Sequence, residues 1–266
     1  MKKFNLHSVL AFISLSFLFG ACDNFDSSPK ALVNIILVDT PAKWDSLFVE
    51  IEGVELEVLV PGRESADTET FYLEYKNGDK RIKVSELVGG NALLIGRNEL
   101  PLGKVTKVTV KLGSNHSMFY EDDEYNLPLS DPSTQEVSLL AALDLDQGIS
   151  YDMILDMDLE KSVVEVGTNS FALNPTFSLI NGAITGKIGG ALTPKNLYPA
   201  ISLINKTDTL STHLNTNGAY SFQVPEGDYL LYFDPKDDRY LDTAFNVKVI
   251  VGEDSLLNTI SLKLKP

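Results

Sequence analysis

An all-β fold, two tandem antiparallel β-sandwich domains with at most one short helix in the first, is predicted by three features of this sequence. Apolar and polar residues alternate with period two in segment after segment. Strand-length apolar runs are separated by Gly, Pro and Asn-Gly signals, and no stretch sustains a 3.6-residue apolar period.

The chain opens with Lys2 and Lys3, an apolar stretch from Val9 to Phe19, the small pair Gly20-Ala21, and Cys22, the only cysteine of the 266 residues. The apolar stretch is too short for a permanent membrane span, and small residues before the cysteine suit a signal peptidase. Residues 1–21 therefore read as a lipoprotein signal peptide, with Cys22 as the lipidated residue, although Phe19 stands where such signals usually carry Leu or Val. Lipid on Cys22, palmitate-type acyl chains included, would tether the protein to a membrane and would be its sole covalent group. No other cofactor is expected. Residues 22–30 are polar, contain Pro29 and have no period, as a short tether would.

Removing residues 1–21, which hold Lys2 and Lys3 and no acid, takes the formal net charge from −15 to −17. Such a surface repels nucleic acid, whose binding rests on Lys and Arg neutralising phosphates, and no basic cluster follows Lys3. With Cys22 lipidated, no thiol is left for a disulfide, a metal or a nucleophile. Packed cores must supply the stability, and the remaining length suffices for two domains, residues 31–180 and 181–266.

In the first domain Val49 and Ile51 alternate with Glu50 and Glu52, then Val54, Leu56 and Val58 with Glu55 and Glu57. The apolar parity switches at Gly53, so this glycine is predicted to sit at a β-bulge that keeps both halves facing one core. Alternation recurs at Phe71, Leu73 and Tyr75, at Val108, Val110 and Leu112, and from Tyr151 to Leu159; these are expected to be half-buried antiparallel strands. Val84–Leu94 is the one candidate for a helix, limited to a turn or two by Gly89-Gly90. In the second domain, strand-length runs from Ile184 to Leu264 are separated by Asn217-Gly218 and by Pro225-Glu226-Gly227. Phe177–Ile180 runs almost directly into this domain, which predicts a stiff tandem with little linker.

Five segments carry a family resemblance: DTPAKWD (39–45), VEIEGVEL (49–56), SELVGGN (85–91), NELPLGKVTKVTVKL (98–112) and ILDMDLEKSVVEVGTNSFALNPTF (154–177). Together and in this order they resemble the bacterial family catalogued as domain of unknown function 4382. Val105 departs from the family's usual Tyr. The resemblance implies an exported, often lipidated protein with no assigned reaction. GAITGKIGG (182–190) and TNGAYSFQVPEGDYLLYF (216–233) are similar to the carboxypeptidase regulatory-like domain, a seven-stranded prealbumin-like sandwich that is usually an accessory module. In this reading Tyr220 and Phe222 share a core with Tyr229 and Leu231.

No catalytic residue is expected. A serine hydrolase needs a histidine beside an activated serine, and the mature chain has only His116, in a polar loop, and His213, in the STH stretch of an expected strand; both read as exposed. No metal ligand is expected either. Asp144, Asp146 and Gly148 open like a calcium loop, but Ile149 and Leu155 stand where that loop needs Gly and Glu. Asp152, Asp156 and Asp158 read as the solvated face of a strand, and Glu121–Glu124 as a loop of like charges. Ligand contact, if any, would fall to rings: Tyr120 and Tyr125 beside the acidic loop, and Trp44, for which an anchoring role in its turn is favoured.

The function expected is thus non-enzymatic: a lipid-anchored envelope protein presenting a binding, adhesion or scaffolding surface to a protein or glycan partner. The alternative is an accessory glycan- or peptide-binding lipoprotein of a nutrient-uptake system. An aspartate directly after the cysteine, as at Asp23, retains some enteric lipoproteins at the inner membrane, whereas acids at Asp23 and Asp26 resemble a Bacteroidota-type surface-export signal. The outer membrane, facing outward, is favoured over a periplasm-facing position.

Overall fold

The computed structural model describes residues 28–40, 44–62, 66–182, 185–206 and 209–266. The predicted signal peptide, Cys22 and all but the end of the tether lie outside the described residues. Among those described, no helix is long and apolar enough to cross a membrane.

The chain begins with β1 (Lys30–Thr40), β2 (Ser46–Pro61), β3 (Ala66–Glu74), β4 (Arg81–Lys83), β5 (Leu93–Pro101), β6 (Gly103–Leu112), β7 (Ser117–Tyr120) and β8 (Asp123–Asn126). There follow β9 (Glu136–Leu145), β10 (Ser150–Asp158), the one-turn helix α1 (Leu159–Ser162), β11 (Val163–Gly167), β12 (Ser170–Leu173) and β13 (Phe177–Asn181). One sheet has the order β13-β10-β1-β5; a larger one is built on β2 in the order β8-β7-β2-β6-β9, with β3 and β4 also paired to β2. Their inner faces share one core, which includes Val33, Ile35, Leu37, Val49, Val54, Val110, Met153 and Leu155.

β2 shows how the pattern makes the fold. Leu47, Val49, Ile51, Val54, Leu56 and Val58 are all buried, although their parity switches midway. The pairing of β2 with β6 shifts register between Ile51 and Gly53, as a bulge requires. A Cβ on Gly53 would stand 2.8 Å from the Tyr72 hydroxyl oxygen and closer still to the Leu73 carbonyl, so the bulge also needs the missing side chain. On the outer face Glu57 pairs with Lys107, and Glu55 lies 3.1 Å from Lys111.

Two expectations are corrected here. β1 and β10 run parallel, with Val38 opposite Asp156 and Asp39 opposite Met157. β10 is buried on both faces, because the second core covers the side that carries Ile154 and Asp156; a parallel pair shielded on both sides follows the general rule. The solvated face expected for Asp152, Asp156 and Asp158 is therefore largely covered, and Asp156 is buried. The candidate helix at 84–94 shrinks to a 3-10 turn, Val84–Glu86, before the chain turns at Gly89-Gly90 and enters β5.

The rest of the chain folds around a second core. β14 (Thr185–Thr193), β15 (Ala200–Ile204), β16 (Thr209–Thr212), β17 (Ala219–Pro225), β18 (Gly227–Asp234), β19 (Thr243–Val249), β20 (Asp254–Leu256) and β21 (Ile260–Ser261) form two facing sheets. One has the order β17-β14-β20, with β21 also on β14, and the other β16-β15-β18-β19. β20 and β21 join β14 in parallel, again unlike the all-antiparallel expectation. Tyr220, Phe222 and Val224 from β17 meet Tyr229, Leu231 and Phe233 from β18 in this core, each strand contributing every second residue. Gly218 takes the positive φ of 79° expected of the Asn-Gly turn.

Candidate functional site

Three sequence-derived residues are brought together at one end of the first core. Trp44 is buried, 5.3 Å edge-to-face from Tyr120 and 5.6 Å from Phe171; Tyr125 meets the same Phe171 at 5.0 Å. These are favourable T-shaped contacts. Trp44 thus packs onto the sandwich, and Phe171, which the sequence did not single out, is the hub. Tyr120 and Tyr125 are half-buried. The acidic run is tighter than a loop: Glu121 and Asp122, at φ 53° and 68°, form the two-residue turn of the β7–β8 hairpin. The charge of Glu121 beside it raises the Tyr120 phenol above its usual range. Asp123 and Glu124 belong to β8, where Glu124 lies 3.4 Å from Arg81.

The histidines do not stand as expected. His116 is buried: its Nδ1 accepts from the Glu50 backbone N–H at 3.1 Å, and burial lowers its pKa. His213 is half-buried, its Nδ1 2.9 Å from the Pro199 carbonyl oxygen. Neither is in a position the polarity of its flanking residues announces, because both are fixed by backbone groups distant in sequence. Among the described residues no group of three or more His, Cys, Asp or Glu side chains could hold a metal ion.

A concavity lies between the two cores. A cleft of about 170 Å³ is lined from the first by Ile36, Val38, Asp39, Ile154, Asp156 and the 87–92 segment, and from the second by Lys187, Thr212, Ser221, Phe222 and Val224. The SELVGGN segment builds one wall. The Gly89 N–H donates to Thr212 Oγ1 at 3.1 Å, and the Asn215 side-chain amide donates to the Gly89 carbonyl at 3.1 Å. Gly89 has φ 62°, and a Cβ there would come within 2.8 Å of the Asn215 nitrogen, so glycine is required for this approach.

Two acids are buried near the cleft, Asp156 on the face of its strand that lines it and Asp39 on the opposite face of β1. Asp156 accepts from Thr40 Oγ1, at 2.8 Å to Oδ1 and 2.9 Å to Oδ2. Asp39 ends the series of buried alternate residues Ala31, Val33, Ile35 and Leu37 on β1, so an acid occupies a position patterned for an apolar side chain. It is 6% exposed, and neither carboxylate oxygen has a hydrogen-bond partner. Burial, and after it the charges of Asp156 and Asp158, push its pKa well above the usual carboxylate range.

A family model described as "Domain of unknown function (DUF4382)" matches residues 30–175. No curated protein matches the chain. Among solved structures it is similar to the Bacillus anthracis TIE protein, at 10% identity and TM-score 0.25, over 89% of this chain and 34% of that one. It is also similar to GBS52, the minor pilin of Streptococcus agalactiae, at 10% identity and TM-score 0.23, over 88% and 96%. A third is an adhesin candidate from Bacteroides ovatus, at 11% identity and TM-score 0.25, over 92% and 96%. The chain thus spans about a third of the first of these and nearly all of the other two.

Proposed function

The chain belongs to the DUF4382 family, and on that premise we propose that it is a non-enzymatic, lipid-anchored protein of the cell envelope that presents a binding, adhesion or scaffolding surface. The observation that carries this reading is the sequence of Lys2-Lys3, the short apolar stretch and Gly20-Ala21-Cys22 ahead of a chain whose described residues are nearly all β. Lipid on Cys22 would hold the protein at the outer membrane, and about one or two nanometres of tether would separate it from β1. Its action would be contact with a protein or glycan, for which the half-buried Tyr120 and Tyr125 beside the Glu121-Asp122 turn are the proposed meeting point. Trp44 would hold that surface in place from beneath.

In the same reading, residues 31–180 and 181–266 are separate domains, and the second is a carboxypeptidase regulatory-like accessory module. Support comes from the two distinct cores and from the inward placement of Tyr220, Phe222, Tyr229 and Leu231.

The deciding experiment is protease shaving of intact cells beside a lysed control, with an immunoblot for the chain and metabolic labelling by a palmitate analogue. Loss of the band from intact cells, with label that disappears in Cys22→Ser, is the expected result. Survival of the band until lysis overturns surface display, and an unlabelled wild type overturns the anchor.

A further inference from the structure

We propose that His116 is an acid-released latch, fastening the Gly113–Ser117 segment, and through it the near end of the β7–β8 hairpin, to β2. The latch stands apart from the display reading; only its consequence for contact at Tyr120 and Tyr125 rests on that reading.

The argument begins with a gap in the ladder of β2. β6 pairs with this strand as far as Ile51, opposite Leu112, and β7 takes over at Phe48, opposite Ser117. The N–H of Glu50 lies between the two pairings, and a backbone donor withdrawn from water needs an acceptor. The imidazole supplies it: His116 Nδ1 accepts from the Glu50 N–H at 3.1 Å, and the residue is 1% exposed. An imidazole nitrogen accepts only when it carries no proton, so this bond selects the neutral ring with its proton on Nε2. Nε2 has no hydrogen-bond partner.

Glu50 holds the same segment at three further points. Its carbonyl accepts from the Gly113 N–H at 3.0 Å, and its Oε2 accepts from the N–H groups of Ser114 and Asn115 at 2.7 and 2.9 Å. A Cβ on Gly113 would overlap the Glu50 carboxylate, so the fit needs glycine there. The His116 carbonyl accepts from the Leu127 N–H at 3.0 Å, which ties the latch to the far end of the hairpin.

Protonation removes the acceptor. With a proton on Nδ1 the ring turns a donor toward the Glu50 N–H, which is orphaned, and a positive charge is buried. The groups facing the ring are the Glu50 carboxylate on β2, the Arg81 guanidinium on β4 and the Gly113 carbonyl; Glu124 of β8 lies 3.4 Å from Arg81. Burial is the largest influence and, with Arg81, opposes the charged ring, whereas Glu50 and the Gly113 carbonyl favour it. The Glu50 carboxylate can meet an imidazolium only by giving up the N–H groups of Ser114 and Asn115, so either response undoes the fastening. The latched ring titrates below its ordinary 6.5. Closure is therefore complete above that value and weakens as the pH falls through it, by about tenfold per unit until the pKa of the latched form is passed. Because the hairpin carries Tyr120 and Tyr125, contact made there would weaken with acid in the same window.

Amide hydrogen exchange of the intact chain, followed by NMR at pH 7.5 and pH 5 and corrected for the intrinsic rates, tests the inference. The His116 ring resonance is titrated in the same samples. Protection at Glu50, Ser114 and Asn115 should fall by about tenfold or more toward pH 5, with the ring titrating below 6.5, while Ile35 of β1 and Leu231 of β18 keep theirs. His116→Asn keeps an acceptor near the place of Nδ1 and cannot titrate, so protection there should no longer depend on pH. Glu50→Gln keeps an acceptor for Ser114 and Asn115 but removes the charge that favours the imidazolium. It should move the ring titration further down, and it carries the test if the His116 variant fails to fold. Unchanged protection at pH 5, an equal fall in His116→Asn, a fall shared by Ile35 and Leu231, or a ring that titrates at or above 6.5 would overturn the latch. None of these readouts depends on surface display, so the two readings fail separately.

Discussion

The backbone N–H of Gly89 and the hydroxyl of Thr212, 123 residues apart in sequence, form a buried hydrogen bond of 3.1 Å that joins the two cores. Replacing Thr212 with Val keeps the shape but orphans the Gly89 N–H. The expected loss is about 1–3 kcal/mol, read from the urea midpoint of the intact chain. Tryptophan emission should change later in the titration than signals from the junction, since Trp44 lies in the first core.

Trp44 is the only tryptophan. At 7% exposure, wedged against Tyr120 and Phe171, it should emit at short wavelength in the native state and shift red on unfolding. Phe171→Ala removes the ring on which Trp44, Tyr120 and Tyr125 all pack, and about 3–5 kcal/mol of stability with it. Native emission that stays blue with unchanged stability would contradict the hub role of Phe171.

Tyr220 is buried against Phe233 with its hydroxyl unpartnered, and burial pushes its pKa up to about 12. Tyr220→Phe deletes that hydroxyl and keeps the ring. The variant should be as stable as wild type or more stable by about 1 kcal/mol, measured by chemical denaturation.

Two buried groups impose opposite pH trends. His116 has a lowered pKa in the folded chain, so the unfolded chain binds more protons once the pH falls below about 6.5, and stability is lost on acidification through that window. Asp39 has a raised folded pKa, so its neutral form is favoured by folding, and stability is lost as the pH rises from the ordinary carboxylate value of 3.8 through the folded pKa. Asp39→Asn should therefore raise the melting temperature at neutral pH, with the gain vanishing near pH 3.8 and below. His116→Asn should flatten the acid limb. Thermal melts across pH check both.

Much of the architecture was legible because it is local. The alternation around Val49 and Val54 gave the strand, and its broken parity at Gly53 gave the bulge, since period-two patterning records which face is buried. The burial of Asp39 and the partners of Asp156 and His116 were not legible. Asp156 looked solvated because its own strand alternates; only the parallel approach of β1, 116 residues earlier, and the second core behind it decide that it is buried. His116 sits among polar neighbours yet docks on Glu50 of a strand far upstream. The aromatic cluster was half visible: Trp44, Tyr120 and Tyr125 stand out by composition, whereas Phe171 became their hub only through tertiary packing.

The position of β1 has a mechanical meaning. It is the first strand among the described residues, and it is laddered on both sides, parallel to β10 and antiparallel to β5. A pull entering at Lys30 runs along this strand and loads both ladders in shear, many hydrogen bonds at once, rather than peeling them one by one. A module held by its amino-terminal end and tugged from beyond would thus yield late at the strand nearest its anchor, and would give way first elsewhere in the chain.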